Sequence, residues 1–211
     1  MASVHEKSET SVVAAQIART AAQLFAAKGY EATAVREIVE AAGVTKPTLY
    51  YHFGSKEGLA QTLLSAPMAR LQGELRAILD GPGGPLAKVE AMAEAHFGFI
   101  RDDPDRARLL FALFFGPLST GLAAEQARSC SGLCELDVEA ARRLAEAGVI
   151  DAARVDDFAM AMRGMIVHWT MNALYRGGDL GPGLAHRLVG DVLWGFAGAG
   201  TRPNEERADG W

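Results

Sequence analysis

The sequence predicts an all-helical protein of about nine helices, on three observations. Apolar residues recur at intervals of three and four almost throughout, as one face of a helix requires, and no segment alternates with period two between turn residues. Glycine, proline and hydroxyl residues divide the chain into lengths that suit helices. Apolar residues make up 49% and charged residues 22% of the 211, enough for a sizeable core and far from the composition of a disordered chain.

The first helix is expected from Val12 to Lys28, where Val13, Ile17, Ala21, Leu24 and Phe25 form one stripe and Gly29 supplies a left-handed end. Thr33 then stands where an N-cap belongs, and Val35, Ile38, Val39 and Ala42 give a short second helix closed by Gly43. Thr45 caps a third helix that runs to Phe53, with Pro47 in the first turn, where a missing amide donor costs nothing. Gly54 and Ser55 break and recap the chain, and a fourth helix runs from Lys56 towards Leu79, with Pro67 expected to kink it.

The strongest stop is Asp80-Gly-Pro-Gly-Gly-Pro85. Beyond it helices are expected near 85–102, 104–115, 119–147, 152–176 and 182–198. Asp103-Pro104, Gly116-Pro117, Gly148, and Gly177-Gly178 with Pro182 separate them. Thr201 to Trp211 reads as a polar tail.

A formal net charge of -5 argues against a protein that binds nucleic acid over its whole surface, because phosphates are neutralised by clustered Lys and Arg. The deficit is uneven. In residues 1–60, Lys7, Arg19, Lys28, Arg36, Lys46 and Lys56 balance Glu6, Glu9, Glu31, Glu37, Glu40 and Glu57, so all of the net negative charge lies further on. Nucleic-acid contact is therefore expected at the N-terminal end, through a small patch.

The second helix, the Ala42-Gly43-Val44 turn and the third helix have the dimensions of a helix-turn-helix. The third helix strengthens that reading. Thr45, Lys46, Pro47, Thr48, Tyr50, Tyr51 and His52 crowd it with donors and aromatic rings, while Leu49 and Phe53, four apart, face inward. Such a helix can lay its N-terminal end against base edges and its flanks against phosphates. Lys46 and Thr48 are placed for bases; Arg36, Tyr50, His52 and Lys56 are placed for phosphates or groove edges.

Ala22-Gln-Leu-Phe-Ala-Ala-Lys-Gly-Tyr-Glu-Ala-Thr33, Val35-Arg-Glu-Ile38, Ala41-Ala-Gly-Val-Thr-Lys-Pro-Thr-Leu-Tyr-Tyr-His-Phe53 and Ser55-Lys-Glu57 together resemble the N-terminal signature of the TetR family of transcription regulators. The resemblance implies a homodimer with a three-helix DNA-binding head, a connecting fourth helix and a helical effector-binding body, whose members usually repress. It places Arg36, Lys46, Pro47, Thr48 and Tyr51 at base or groove contacts, and Thr33, Tyr50, His52 and Lys56 at phosphate contacts. Val35 departs from the pattern, since several members carry a small hydroxyl residue there that touches the DNA backbone.

The expected organisation is therefore a DNA-binding head over residues 10–55, a ligand-binding and dimerising body over 56–200, and the tail 201–211. For the body, the resemblance implies dimerisation through the last two long helices. There Phe158, Met162, Met165, Ile166, Trp169 and Ala173, with Leu184, Leu188, Val192, Gly195 and Ala199, supply apolar and small residues. The aromatic and Met-rich supply for a largely apolar effector pocket is His96, Phe97, Phe99, Ile100 and Arg101, then Phe111, Phe114 and Phe115, then Met162, Met165, His168 and Trp169.

Enzyme motifs are not found: no Gly-rich phosphate loop follows a strand, and there is no His-Glu-x-x-His and no nucleophile elbow. Catalytic residues, cofactors and metals are not expected. Cys130 and Cys134 share a helix face without a third soft ligand to complete a tetrahedral set. With two cysteines, no export signal and no apolar run near the roughly 20 residues that span a bilayer, a cytoplasmic protein that does not enter membranes is expected. The expected partners are operator DNA, a second copy of the chain and a small-molecule effector.

Overall fold

No glycine or proline precedes Gly29, so nothing in the N-terminal sequence stops a helix, and α1 accordingly runs from Ala2 to Lys28, beginning well before Val12. The computed structural model describes residues 2–115 and 120–194. After α1 come α2 (Val35–Ala42), α3 (Lys46–Phe53), α4 (Lys56–Asp80), α5 (Pro85–Asp102), α6 (Pro104–Phe115), α7 (Thr120–Glu146), a single 3-10 turn (Ala152–Arg154), α8 (Val155–Arg176) and α9 (Leu184–Trp194). No strand occurs among the described residues. The Gly116-Pro117 break, Gly195, Ala199 and the tail 201–211 lie outside them.

Two compact units emerge. The first comprises residues 1–69 and 103–130, the second residues 70–102 and 131–211, so α4 and α7 each contribute to both. In the first unit α1 packs against α2, α3 and α6. Ile17, Ala21 and Phe25 on α1 meet the demand for an apolar stripe, and Ile38 of α2, Leu49 of α3 and Leu59 of α4 are likewise fully buried. Each such large side chain contributes about 1.5–3 kcal/mol by leaving water. In the second unit α5, α8 and α9 pack on one another, burying Val89, Met92, Phe97, Phe158, Ile166, Leu184 and Leu188.

One local expectation is corrected. The residue capping α2 is Ala34, and Thr33 is 1% exposed with its hydroxyl donating to the Gly29 carbonyl at 2.8 Å. The last turn of α1 leaves carbonyls without amide partners, and Thr33 satisfies one of them. The Ala34 amide instead donates to Glu37 Oε2 at 2.8 Å, half of a capping box. α4 runs through Pro67 as one helix.

Candidate DNA-binding surface and ligand cavity

The α2–α3 pair is set by a few local devices. Gly43 ends α2 at φ +64, the left-handed conformation that glycine adopts without cost, and the Val44 amide closes the turn on the Val39 carbonyl at 2.9 Å. Gln16 Nε2 on α1 donates to the freed Ala42 carbonyl at 2.7 Å, fixing α2 against α1. Thr45 then caps α3: its Oγ1 accepts from the Thr48 amide at 3.4 Å and lies 2.8 Å from the Thr48 hydroxyl. Leu49 is completely buried and anchors α3 to the core, which turns the rest of the helix outward.

What α3 turns outward is polar and aromatic. Lys46 and Pro47 are exposed, Tyr51 is 80% and Tyr50 46% exposed, and the His52 ring meets Tyr51 edge-on at 5.1 Å. Both tyrosines are exposed on one short helix, and their hydroxyls can reach phosphates or groove edges. Arg36 is exposed and its Nε donates to Glu40 at 2.6 Å, a pair that raises its pKa, the hydrogen bond weighing most. That contact is between solvated side chains and is cheaply exchanged.

Lys56 sits 4.2 Å over the Tyr30 ring and also reaches the Glu31 carbonyl at 3.5 Å, so its ammonium is held beside α3's C-terminal end. Lys28 and Glu37 form an ion pair that lowers the Glu37 carboxyl. Of the residues expected on the DNA surface, Arg36, Thr45, Lys46, Pro47, Thr48, Tyr50, Tyr51, His52 and Lys56 therefore lie at or near the outward face. Thr33 alone is turned into the core, which removes its hydroxyl from phosphate contact.

The residues expected around an effector are divided between the two units. Phe111, Phe114 and Phe115 lie on α6 in the first unit, with the Phe111 and Phe115 rings 5.6 Å apart and Phe115 68% exposed. In the second unit Phe97 is fully buried, Met165 and Trp169 are half-buried and His168 is exposed. A small open concavity of that unit is lined by Val89, Met92, Ala93, His96, Asp137, Ala140, Phe158, Ala159, Met162 and Ile166. His96 and Met162 are the residues named for the expected pocket that line it.

A polar cluster sits in this otherwise apolar wall. Arg163 Nη1 donates to His96 Nε2 at 3.1 Å, and its Nη2 pairs with Asp137 Oδ2 and donates to the Leu133 carbonyl at 3.3 Å. His96 Nδ1 donates in turn to the Met92 carbonyl at 2.8 Å. Burial first, then the Arg163 charge, push the His96 pKa down to about 3, so the ring is neutral. Burial raises the Asp137 carboxyl against the opposing pull of Arg163.

Residues expected at a dimer interface divide as well. Phe158 and Met162 face the cavity, and Leu184 and Leu188 fill the α5–α8–α9 core, all at most 8% exposed, because each lies on the inward stripe of its helix. Trp169 and Val192 are half-buried. The apolar surface left open on α8 is instead Met160, Met171 and Tyr175, at 74, 42 and 55% exposure. With Gly164 and Val167 between them, these residues follow helical spacing along one face. Neither Cys130 nor Cys134 is in a disulfide, and both are exposed. No three metal-ligating side chains cluster among the described residues, and no helix there is long and apolar enough to cross a membrane.

Residues 17–63 match the family model for bacterial regulatory proteins, tetR family. The chain is 35% identical over 96 residues to the transcriptional activator FasR of Mycolicibacterium smegmatis, covering 46% of this chain and 44% of that one. It is 35% identical over 82 residues to the transcriptional repressor KstR2 of Mycobacterium tuberculosis, covering 39% of this chain and 41% of that one. The matched stretch thus spans less than half the length of these curated relatives. In structure, a putative fatty acid metabolism regulator of Clostridium perfringens superposes with a TM-score of 0.76 at 20% identity, over 86% of this chain and 98% of the other. That likeness establishes the fold as a helix-turn-helix head with a helical body. Both curated relatives are transcription regulators.

Proposed function

We propose that the chain is a regulator of the TetR family, whose model its residues 17–63 match, and that it binds a palindromic operator sequence-specifically and represses transcription until a small molecule enters the second unit and releases it. The observation that carries the reading is the outward face of α3, where Lys46, Thr48, Tyr50 and Tyr51 stand on a helix anchored by one buried leucine. Lys46 and Thr48 at the helix start read bases; Arg36, Tyr50, His52 and Lys56 hold phosphates; Thr45 and Pro47 shape the entry of the helix into the groove. Occupying an operator blocks access to the promoter beneath it, so repression is the direct consequence of binding, and a ligand that weakens binding relieves it.

We take residues 10–55 as the DNA-reading part and 56–200 as the ligand-binding and dimerising part. One pair of short helices covers too little DNA for tight specific binding, and a symmetric dimer reading two half-sites about one helical turn apart supplies the rest. The exposed Met160, Met171 and Tyr175 face of α8 is the surface offered for the second copy. The chain acts where the DNA is, in the cytoplasm.

The test is a gel shift with the DNA upstream of the chain's own gene. Wild-type protein should retard that fragment in the presence of excess unrelated DNA. Lys46→Ala with Thr48→Ala should remove that preference, each good base contact being worth about 1–3 kcal/mol. Equal retardation by the double variant would refute the assignment of α3 as the reading helix.

A further inference from the structure

Lys28 and Arg36 in the first unit spend their charges on Glu37 and Glu40, whereas Lys56 is held by a ring and a carbonyl. Its ammonium stands 4.2 Å over the Tyr30 ring and donates to the Glu31 carbonyl at 3.5 Å. Both partners are uncharged groups, so they fix the ammonium without neutralising it. Resting on the reading of this unit as DNA-binding, with Lys56 on a phosphate, we propose that Tyr30 is a positioning residue for that binding, its ring seating the Lys56 ammonium where the phosphate meets it.

The seat is built into the loop between α1 and α2. Tyr30 follows Gly29, whose φ of +86 ends α1, and its ring meets the buried Phe25 edge-on at 5.3 Å. The Thr33 amide donates to the Tyr30 carbonyl at 3.3 Å and the Thr33 hydroxyl to the Gly29 carbonyl, so the buried threonine pins the loop that carries the ring. Lys56 needs such a seat. It opens α4, where the helix dipole disfavours a cation, and an unseated lysine loses its rotamer freedom only on meeting the phosphate. An ammonium carries three N–H donors, so one on the Glu31 carbonyl and one over the ring leave a third for a phosphate oxygen.

The test uses the full chain in two measurements. In the free protein carrying isotope-labelled lysine, the ring current of Tyr30 should shift the NMR signal of the Lys56 ε-methylene upfield; Tyr30→Leu should abolish that shift and Tyr30→Phe should keep it. DNA affinity is then measured by fluorescence anisotropy over a range of salt, on the duplex upstream of the chain's own gene. Tyr30→Leu should weaken binding about two- to tenfold per head, the cost of ordering one long side chain at an interface, and leave the salt slope unchanged because Lys56 still reaches its phosphate. Tyr30→Phe should bind as the wild type does. Lys56→Met should flatten the salt slope by about 0.9 per head, and in that background Tyr30→Leu should have no further effect.

Equal losses from Tyr30→Phe and Tyr30→Leu, tighter binding by Tyr30→Leu, or a loss that persists in the Lys56→Met background would each overturn the assignment, the last by showing that Tyr30 acts through the fold alone. An unshifted Lys56 signal in a chain that binds DNA would overturn this role and leave the DNA-binding reading standing. A shifted Lys56 signal in a chain that binds no DNA even at low salt would overturn the DNA-binding reading and this role with it.

Discussion

His96→Gln isolates the energetics of the polar cluster. In the native chain Nδ1 donates to Met92 and Nε2 accepts from Arg163, so the ring is held neutral, and its pKa is pushed down to about 3, by burial first and the Arg163 charge second. In the unfolded chain the same ring titrates near 6.5. Between these values the unfolded state binds one more proton than the native state, so stability falls as the pH falls below about 6.5. The slope from this one group is about 1.4 kcal/mol per pH unit, hence about 2 kcal/mol between pH 6.5 and pH 5. Asp137, whose carboxyl is raised by burial, acts in the opposite direction: stability falls as the pH rises through its raised value. Comparing His96→Gln with the wild type cancels that contribution, and the glutamine carbonyl can still accept from Arg163. Urea unfolding at fixed protein concentration should therefore show the wild type losing about 2 kcal/mol more than His96→Gln over that interval. Parallel losses in the two proteins would refute a neutral, buried His96.

Two further outcomes follow from close contacts and exposed surface. A Cβ at Gly58, in the first turn of α4, would stand 2.2 Å from the Phe53 carbonyl at the end of α3, so Gly58→Ala should cost about 1–3 kcal/mol of stability and weaken operator binding by displacing α3; an unchanged melting midpoint and DNA affinity would contradict this. Met160→Glu with Met171→Glu, which changes two residues that are 74 and 42% exposed, should yield monomers by light scattering with the fold intact by circular dichroism, and a retained dimer would place the interface on another face.

The fold was legible because helix length and helix ends are local properties. Gly29, Gly43 and Gly177 end α1, α2 and α8 in left-handed conformations, and Pro85 and Pro104 open α5 and α6, as their positions in the sequence require. The errors are also local. Thr33 and Ala34 are adjacent, and a threonine hydroxyl satisfies a preceding carbonyl as well as it caps a following helix, so the composition alone does not decide which residue starts α2. The early start of α1 was missed because the acidic leader lacks an apolar stripe, although it also lacks any residue that breaks a helix.

The DNA surface and the ligand cavity differ in how far they could be read, and the difference is physical. An exposed reading helix is made of consecutive residues on one short element, so Lys46, Thr48, Tyr50 and Tyr51 announce themselves by crowding polar and aromatic groups where one buried leucine suffices. A cavity is made where stripes from several helices fail to fill space, and aromatic abundance does not locate it: Phe97 fills its place in the core, whereas Ala93, Ala140 and Ala159 leave room. A different signal was present. Asp137 interrupts the inward stripe of Leu133, Leu136, Ala140 and Leu144 on α7, and Arg163 interrupts that of Ala159, Met162 and Ile166 on α8. Neither charge is stable against apolar neighbours by itself, so each requires an opposite charge from a facing helix. One acid and one base on two inward stripes therefore implied a contact between α7 and α8, and small residues flanking both charges implied that the contact borders a space.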